Sequence, residues 1–167
     1  FRREIETVTG LEHPGICTVY DAGEAGGIPY LAMRHLDGRT LAQHITADRG
    51  LPPGGRTSLD TTLRWIEHTA HALHHAHQSG LVHRDIKPGN LMITTDGDPV
   101  LLDFGLAQRD DAATPGMTRP GDLLGTPAYM APEQLEGRRV DARADVYGLG
   151  ATLYEAITLH QPFEEET

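Results

Sequence analysis

The sequence of 167 residues has few of the features that mark secreted, membrane or nucleic-acid-binding proteins. Its one cysteine, Cys17, cannot form an internal disulfide, which fits a reducing compartment. No apolar run approaches the roughly 20 residues of a membrane span, and no signal peptide is visible. Acidic residues outnumber basic ones, and the formal net charge of −10 argues against a nucleic-acid partner. We therefore expect a cytoplasmic segment that contacts neither membrane nor nucleic acid.

The bulk composition is that of an ordinary globular domain. The apolar fraction is 38% and the charged fraction is 23%, and the length suffices for one domain with a core. The chain starts at Phe1 rather than at a methionine. We therefore expect the natural start to lie upstream, and a targeting segment or a membrane anchor elsewhere in the longer protein stays open.

Hydrophobic periodicity and turn residues predict a mixture of helices and short strands. Thr40 is expected to cap a short helix, Gly80 to end a long one, and Asp96 with Gly97 to form a hairpin turn. Residues 105–131 lack periodicity and predict a long loop, which in compact domains is usually functional or disordered. The predicted helices span 1–9, 40–47, 59–79 and 141–159, and the predicted strands span 16–21, 28–34, 91–94 and 99–102.

Two of the predicted helices carry patterns that indicate how they are buried. The helix over 59–79 has one apolar stripe, formed by Leu63, Ile66, Ala70, Leu73 and His77. In the helix over 141–159 the apolar residues spread around much of the circumference, which predicts deep burial; they are Val146, Leu149, Leu153, Ala156 and Ile157. Cys17, among apolar neighbours, is expected to be a buried thiol.

The chemistry-bearing residues lie in two short segments. The first reads HRDIKPGN over residues 83–90, and the second reads LDFG over residues 102–105. Asp85 suits a carboxylate that orients a hydroxyl and accepts its proton, and Lys87 can stabilise a transferring phosphoryl group. Asn90 and Asp103 offer the hard oxygen ligands that Mg²⁺ prefers. Together these residues predict phosphoryl transfer.

The two segments resemble the catalytic loop and the metal-binding triplet of the eukaryotic-type serine/threonine protein kinases. The sequence as a whole is most similar to bacterial members of that family. Ala131-Pro132-Glu133 resembles the triplet that closes the activation segment of that family. The resemblance implies an α+β, protein-kinase-like two-lobe fold that is incomplete here. Residues 1–35 correspond to the C-terminal part of the N-lobe with antiparallel strands, and residues 36–167 to a mostly helical C-lobe, in a single truncated domain.

The resemblance implies ATP-dependent transfer of the γ-phosphoryl group to serine or threonine hydroxyls of a protein substrate. Asp85, Lys87 and Thr126 would be the catalytic residues. Asn90 and Asp103 would hold Mg²⁺, or Mn²⁺, on the nucleotide phosphates. The lysine at position 87 is typical of the serine/threonine branch, and Thr126 would help to seat the acceptor hydroxyl.

The resemblance also assigns nucleotide-binding roles beyond the metal ligands. Glu4 aligns with the regulatory-helix glutamate that pairs with a strand lysine, and Met33 falls at the gatekeeper position. The backbone groups of Arg34 and Leu36 would meet the adenine, and Met92 would lie under it. A hydrophobic column between the lobes would comprise Val8, Val19, His83 and Phe104.

Regulation is implied by Arg84, because family members with an arginine beside the catalytic aspartate are commonly switched by activation-loop phosphorylation. Thr114 and Thr118 are the candidate acceptors, and dimerisation of the longer protein is a candidate route to activation. Asp145 resembles the buried helix aspartate that holds the backbone of the catalytic loop.

Two parts of the family pattern are not in these 167 residues, namely the glycine-rich loop with the strand lysine and the late helices. We therefore expect the fragment alone to bind ATP poorly and to have little activity. A non-catalytic kinase-like scaffold or nucleotide sensor is the alternative, and the intact Asp85, Lys87, Asn90 and Asp103 disfavour it. A small-molecule phosphotransferase is weakened by the intact segment 103–133. A metal site at His71 and His75 has no third ligand in the sequence to support it.

Overall fold

The computed structural model describes residues 10–104 and 127–163. The described strands are β1 (Val19–Ala25), β2 (Ile28–Met33), β3 (Gly38–Thr40), β4 (Leu91–Thr94) and β5 (Pro99–Leu101). The described helices are α1 (Leu41–Arg49), α2 (Leu59–Gln78), α3 (Pro132–Leu135) and α4 (Ala142–Thr158). Short 3₁₀ turns lie at Pro53–Gly55, Pro88–Asn90 and Pro127–Tyr129. No described helix is both long and apolar enough to cross a membrane.

The strands form two antiparallel sheets. β1 and β2 make a hairpin in which Ala25 pairs with Ile28, and β3, β4 and β5 make a second sheet in that order. The first strand lies further along the chain than predicted, since β1 begins at Val19 and runs to Ala25 rather than over 16–21. Gly26 and Gly27 both have positive φ, at 61° and 82°, which suits a two-residue turn and lets the strands pair up to it.

A parallel bridge between Ile16 and Leu101 joins the segment before β1 to β5. Cys17 N donates to Leu101 O at 2.8 Å, and Leu101 N donates to Gly15 O at 2.9 Å. Cys17 is buried, as predicted, and burial raises the pKa of its thiol. The hairpin of β1 and β2 is therefore attached to the sheet that leads into residues 102–104.

The main core lies between α1, α2 and the second sheet. α1 is closed by the predicted cap: Gln43 N donates to Thr40 Oγ1 at 3.3 Å, and Thr40 N donates to Gln43 Oε1 at 2.9 Å. Trp65 Nε1 donates to Gly97 O at 2.9 Å, which ties α2 to the β4–β5 turn. The buried apolar cluster includes Leu41, Ile45, Trp65, Ala72, Leu73, Ala76, Leu91, Ile93 and Leu101.

The predicted stripe on α2 is wrong in part. Ile66 and Leu73 are buried, but Leu63 and Ala70 are exposed, and the buried face is completed by Thr62, Trp65, Thr69, Ala72 and Ala76. The two threonines are tolerated there because each hydroxyl is satisfied inside the helix. Thr69 Oγ1 donates to Trp65 O at 2.7 Å, and Thr62 Oγ1 donates to Ser58 O at 3.2 Å.

Deep burial of α4 is also wrong for the described part of the chain. Its buried residues form one stripe of Ala144, Asp145, Gly148, Thr152 and Glu155. On the other side Val146 is 65% exposed and Ile157 is 48% exposed. Small residues on the buried stripe allow a close approach. A β-carbon on Gly148 would lie 2.9 Å from Ile86 O, so this glycine lets residues 83–90 lie directly on the helix.

Candidate active site

The site is centred on residues 83–90, which we call the HRD loop. Asp145 on α4 holds the backbone of this loop in place. The Asp145 side chain is fully buried. Its Oδ1 accepts from Arg84 N at 2.7 Å, and its Oδ2 accepts from His83 N at 2.8 Å. His77 Nε2, at the end of α2, lies 2.7 Å from the same Oδ2 and must donate to it. The predicted role of Asp145 in holding this backbone is thus confirmed.

The HRD loop contains a residue in an unfavourable backbone conformation. Arg84 has φ of 67°, in the left-handed region that non-glycine residues seldom adopt. Its N–H is held by Asp145, and its C=O accepts from Gln134 Nε2 at 2.7 Å. The strained residue is therefore fixed from both sides, by α4 and by α3.

His83 connects the HRD loop to the strand that ends at Leu101. Its Nδ1 accepts from Asp85 N at 3.3 Å, so the ring proton is on Nε2, which donates to Leu102 O at 2.8 Å. Burial lowers the pKa of His83, in keeping with this neutral form. The ring also packs against Phe104, with centroids 4.7 Å apart, and Val19 lies in the same buried cluster as Phe104. Three members of the predicted hydrophobic column are therefore described, and Val8 lies outside the described residues.

Asp85, Lys87 and Asn90 converge on one carboxylate. Lys87 Nζ and Asn90 Nδ2 lie 2.7 Å and 2.8 Å from Asp85 Oδ2, and Asn90 Nδ2 also donates to Asp85 O at 2.8 Å. Asp85 Oδ1 accepts no hydrogen bond from the described residues, and the side chain is 41% exposed. Among the described residues, one oxygen of Asp85 is thus fixed by neighbours, while the other has no partner.

Asp103 is brought beside this cluster through the backbone. Leu102 N donates to Asn90 O at 2.9 Å, and Leu102 O accepts from His83, so the peptide before Asp103 is tied to the HRD loop at both groups. Asp103 has φ of 50°, and its carboxylate forms no hydrogen bond with the described residues. Asn90 uses its amide nitrogen on Asp85, and its Oδ1 accepts no hydrogen bond from the described residues. Two hard oxygen donors therefore remain for a cation.

The described residues contain no group of three or more His, Cys, Asp or Glu side chains arranged for a metal ion. A Mg²⁺ ion that keeps waters and binds phosphates needs only one or two protein oxygens, so this finding does not test Asn90 and Asp103 as a pair. It gives no support to a histidine metal site. His13 Nδ1 accepts from Gly15 N at 3.0 Å, and its ring lies 5.1 Å from that of His75.

The predicted adenine contacts lie at the end of β2 and in the segment that follows. Arg34 N donates to Thr18 O at 2.8 Å, and its C=O accepts from Cys17 Sγ at 3.5 Å. No hydrogen bond within the described part of the chain uses the backbone groups of Leu36. Met92 is half-buried in β4, opposite Thr40 and Val100. Met33 ends β2 and is 37% exposed.

Four predicted site residues lie outside the described residues: Glu4, Thr114, Thr118 and Thr126. The chain is described again from Pro127, where a contact that the sequence did not indicate appears. Tyr129 OH donates to Glu155 Oε2. The pKa of Tyr129 is raised, mainly by burial and secondly by this hydrogen bond. Arg49 Nη2 lies 3.0 Å from Glu155 Oε1, and its Nε donates to Leu159 O at 2.7 Å. Glu155, buried and paired with the exposed Arg49, thus anchors the 3₁₀ turn that follows Thr126.

Gln134 was also missed by sequence reasoning. A glutamine three residues after a Ser or Thr indicates a capping box. The residue three positions before Gln134 is Ala131, so the sequence carries no such signature here. Likewise, no sequence pattern pairs Tyr129 with Glu155, because the two lie on separate elements.

A helical region carrying an HRD loop on a buried helix aspartate, beside an antiparallel hairpin, is the architecture of a protein kinase. The sequence matches the family described as protein kinase domain over residues 1–167, and the chain belongs to that family. The predicted fold class, a partial two-lobe kinase fold, is confirmed. Members of this family use ATP and a divalent metal ion.

The relatives are bacterial kinases. The chain is 40% identical to serine/threonine-protein kinase PknB of Mycobacterium leprae over 98% of its length, and 40% identical to a probable serine/threonine-protein kinase of Streptomyces coelicolor, also over 98%. It covers 26% and 24% of those proteins. The crystal structure of the PknI kinase domain of Mycobacterium tuberculosis superposes with a TM-score of 0.78 at 35% identity, covering 98% of this chain and 58% of that one. The chain thus spans about a quarter of the length of these curated relatives.

Proposed function

We propose that the protein carrying this chain is an ATP-dependent serine/threonine protein kinase, and that the HRD loop is the phosphoryl-acceptor half of its active site. The observation that carries the proposal is the convergence of Lys87 and Asn90 on Asp85 Oδ2, while Asp85 Oδ1 has no hydrogen-bond partner among the described residues. The bacterial serine/threonine kinases to which the chain is similar support the same activity.

Asp85 Oδ1 is the atom available to a serine or threonine hydroxyl of the protein substrate. Lys87 and Asn90 hold the carboxylate in one orientation, because both donate to its other oxygen. As the substrate oxygen forms its bond to the γ-phosphorus, the bond to the leaving ADP oxygen breaks, and the hydroxyl proton passes to Asp85. Lys87 Nζ, beside this carboxylate, supplies a positive charge near the transferring group, and Thr126 would complete the seat for the hydroxyl.

Asn90 Oδ1 and Asp103 would hold Mg²⁺ or Mn²⁺, since both are hard oxygen donors without another described partner. The metal ion, when bound, neutralises charge on the nucleotide phosphates. The open backbone groups of Leu36, together with the carbonyl of Arg34, would meet the adenine. Met92 would lie under it, Met33 would border it, and Glu4 would pair with a strand lysine. On this proposal residues 1–35 belong to the N-lobe and residues 36–167 to the C-lobe.

Replacing one carboxylate oxygen of Asp85 by an amide nitrogen tests the proposal. In the protein carrying this sequence, Asp85→Asn should reduce phosphorylation of a generic protein substrate from labelled ATP by about 10²- to 10⁴-fold, the usual contribution of a general base. Asp96→Asn is the matched control, because Asp96 lies in the exposed hairpin turn, where Asn-Gly is equally favourable. Equal activity of the Asp85 variant and the unaltered protein would refute the role of Asp85.

The non-catalytic alternative makes a different prediction for the same samples. A scaffold or nucleotide sensor would bind a fluorescent ATP analogue with Mg²⁺ but would transfer no label to itself or to a substrate. The intact Asp85, Lys87, Asn90 and Asp103 favour the enzyme.

Regulation by phosphorylation is the second part of the proposal. Arg84 Nε is buried and has no hydrogen-bond partner in the described part of the chain, so its capacity to donate a hydrogen bond is not filled there. A phosphate on Thr114 or Thr118 would supply acceptor oxygens and order the segment. Two copies in a dimer would allow one to phosphorylate the other. A Thr114→Ala/Thr118→Ala variant with unchanged specific activity would remove both sites from this scheme.

The location that suits this proposal is cytoplasmic. The single thiol is buried and free, as is usual in a reducing compartment. Fractionation of cells that produce the full protein would test it, with recovery outside the cell as the contradicting result.

A further inference from the structure

Gln134 makes two hydrogen bonds that join α3 to the HRD loop. Its Oε1 accepts from Ala131 N at 3.0 Å, and its Nε2 donates to Arg84 O at 2.7 Å. The first bond caps the short helix, as a glutamine at the third helical position commonly does. The second bond reaches 50 residues back in the sequence and has no part in capping.

The carbonyl that Gln134 holds belongs to the peptide unit that carries Asp85 N–H. Because that unit is planar, fixing Arg84 O fixes the direction of Asp85 N–H, which donates to His83 Nδ1 at 3.3 Å. Arg84 has φ of 67°, a strained conformation for a non-glycine residue. Asp145 holds the peptide on one side of Arg84, and Gln134 holds the peptide on the other.

We propose that Gln134 is a positioning residue for phosphoryl transfer, acting through the Arg84–Asp85 peptide on the Asp85 carboxylate. This inference rests on the proposed kinase function. Without the donor at Arg84 O, only the 3.3 Å bond from Asp85 N to His83 Nδ1 holds the peptide, which can then rotate towards an unstrained conformation and turn the Asp85 carboxylate with it. A shift of α3, which follows the 3₁₀ turn Pro127–Tyr129, would then displace Asp85 directly.

Gln134→Glu separates the capping bond from the positioning bond. Glutamate keeps the shape and the acceptor for Ala131 N, and a negative charge in the first turn favours the helix. It has no donor for Arg84 O, and its second oxygen would repel that carbonyl. A residue that only caps α3 would therefore tolerate glutamate, whereas a positioning residue would not.

Gln43 provides a matched control within the same chain. It occupies the third position of α1, and its Oε1 accepts from Thr40 N at 2.9 Å. Its Nε2 donates to no described residue. Gln43→Glu therefore makes the same chemical change in the same kind of cap, far from Arg84 O.

The experiment measures kcat and KM for ATP and for a peptide substrate, in the protein carrying this sequence, for the unaltered form, Gln134→Glu, Gln43→Glu and Asp85→Asn. All assays run well below the lowest unfolding midpoint of the set, so every variant is folded. We expect Gln134→Glu to lower kcat by roughly 10- to 100-fold, as small misplacements at catalytic centres do, with KM for ATP unchanged. Gln43→Glu should leave kcat within about twofold.

A pH profile adds a readout that a purely structural role would not change. Protonation of the new glutamate restores a donor to Arg84 O, so kcat of Gln134→Glu relative to the unaltered protein should rise as the pH is lowered towards 6. A normal kcat for Gln134→Glu, an equal loss in Gln43→Glu, or a pH-independent ratio would each overturn the inference. If the unaltered protein and Asp85→Asn have the same activity, the proposed function itself fails, which is a separate outcome.

Discussion

The most demanding test of this structure is the replacement of Asp145 by asparagine. The carboxylate is fully buried and accepts three hydrogen bonds of 2.7–2.8 Å, two of them on Oδ2 and one on Oδ1. Asparagine has one oxygen, and its least costly orientation keeps that oxygen towards His83 N and His77 Nε2. The amide nitrogen then faces Arg84 N, so that two donors oppose each other.

The expected loss follows from this geometry. A buried donor without a partner costs about 1–3 kcal/mol, and the two remaining bonds lose the strength that a charged acceptor gives. The left-handed conformation of Arg84 also loses one of its two supports. We expect Asp145→Asn to lower the free energy of unfolding by about 2–4 kcal/mol, a large part of the 5–15 kcal/mol typical of a domain.

Urea denaturation at neutral pH measures this difference, and Asp141→Asn is the control. Asp141 caps the same helix, accepting from Arg143 N at 2.9 Å in an exposed position, and asparagine caps as well as aspartate. The control should change the free energy of unfolding by less than about 0.5 kcal/mol. If Asp145→Asn lowered the free energy of unfolding by less than about 1 kcal/mol, Asp145 would not be what holds the HRD loop in place.

The remaining predictions concern a histidine and the thiol. Burial, with His75 and His71 nearby, lowers the pKa of His13, so the folded protein binds fewer protons than the unfolded one below about pH 6.5, and stability should fall as the pH drops through that range. His13→Asn, which keeps an acceptor for Gly15 N, should flatten this dependence in urea titrations at several pH values; an unchanged slope would contradict the assignment. Cys17 should resist a thiol reagent in the native state and react once urea unfolds the chain, and rapid native labelling would show that it is not buried.

The local chemistry of the site could be predicted from the sequence because it depends on residues close together in the chain. Asp85, Lys87 and Asn90 lie within one turn-rich loop, so their spacing alone places them together, as the hydrogen bonds to Asp85 Oδ2 show. The cap at Thr40 and the turn at Gly97 are local in the same sense.

The contacts that the sequence did not predict either join residues far apart in the chain, or bury polar residues and expose apolar ones. Thr69 replaces an expected apolar residue on the buried face of α2, because its hydroxyl is satisfied by Trp65 O within the helix. Val146 and Ile157 are apolar yet exposed in the described part of the chain, since the buried side of α4 is the one whose small residues, such as Gly148, let the HRD loop approach closely. The bond from Gln134 to Arg84 joins separate elements, and no local pattern specifies it.

The parallel bridge between Ile16 and Leu101 also bears on the order in which the chain folds. Its two strands are separated by α1, α2 and the β4–β5 turn, so the loop that it closes contains most of the described core. Closing so long a loop costs chain entropy that is recovered only when the enclosed elements are already packed. We expect pulse-labelling hydrogen exchange to find the amides of Cys17 and Leu101 protected later than those of α2. The attachment of the β1–β2 hairpin would then be a late folding event, and the bridge the first long-range contact to open.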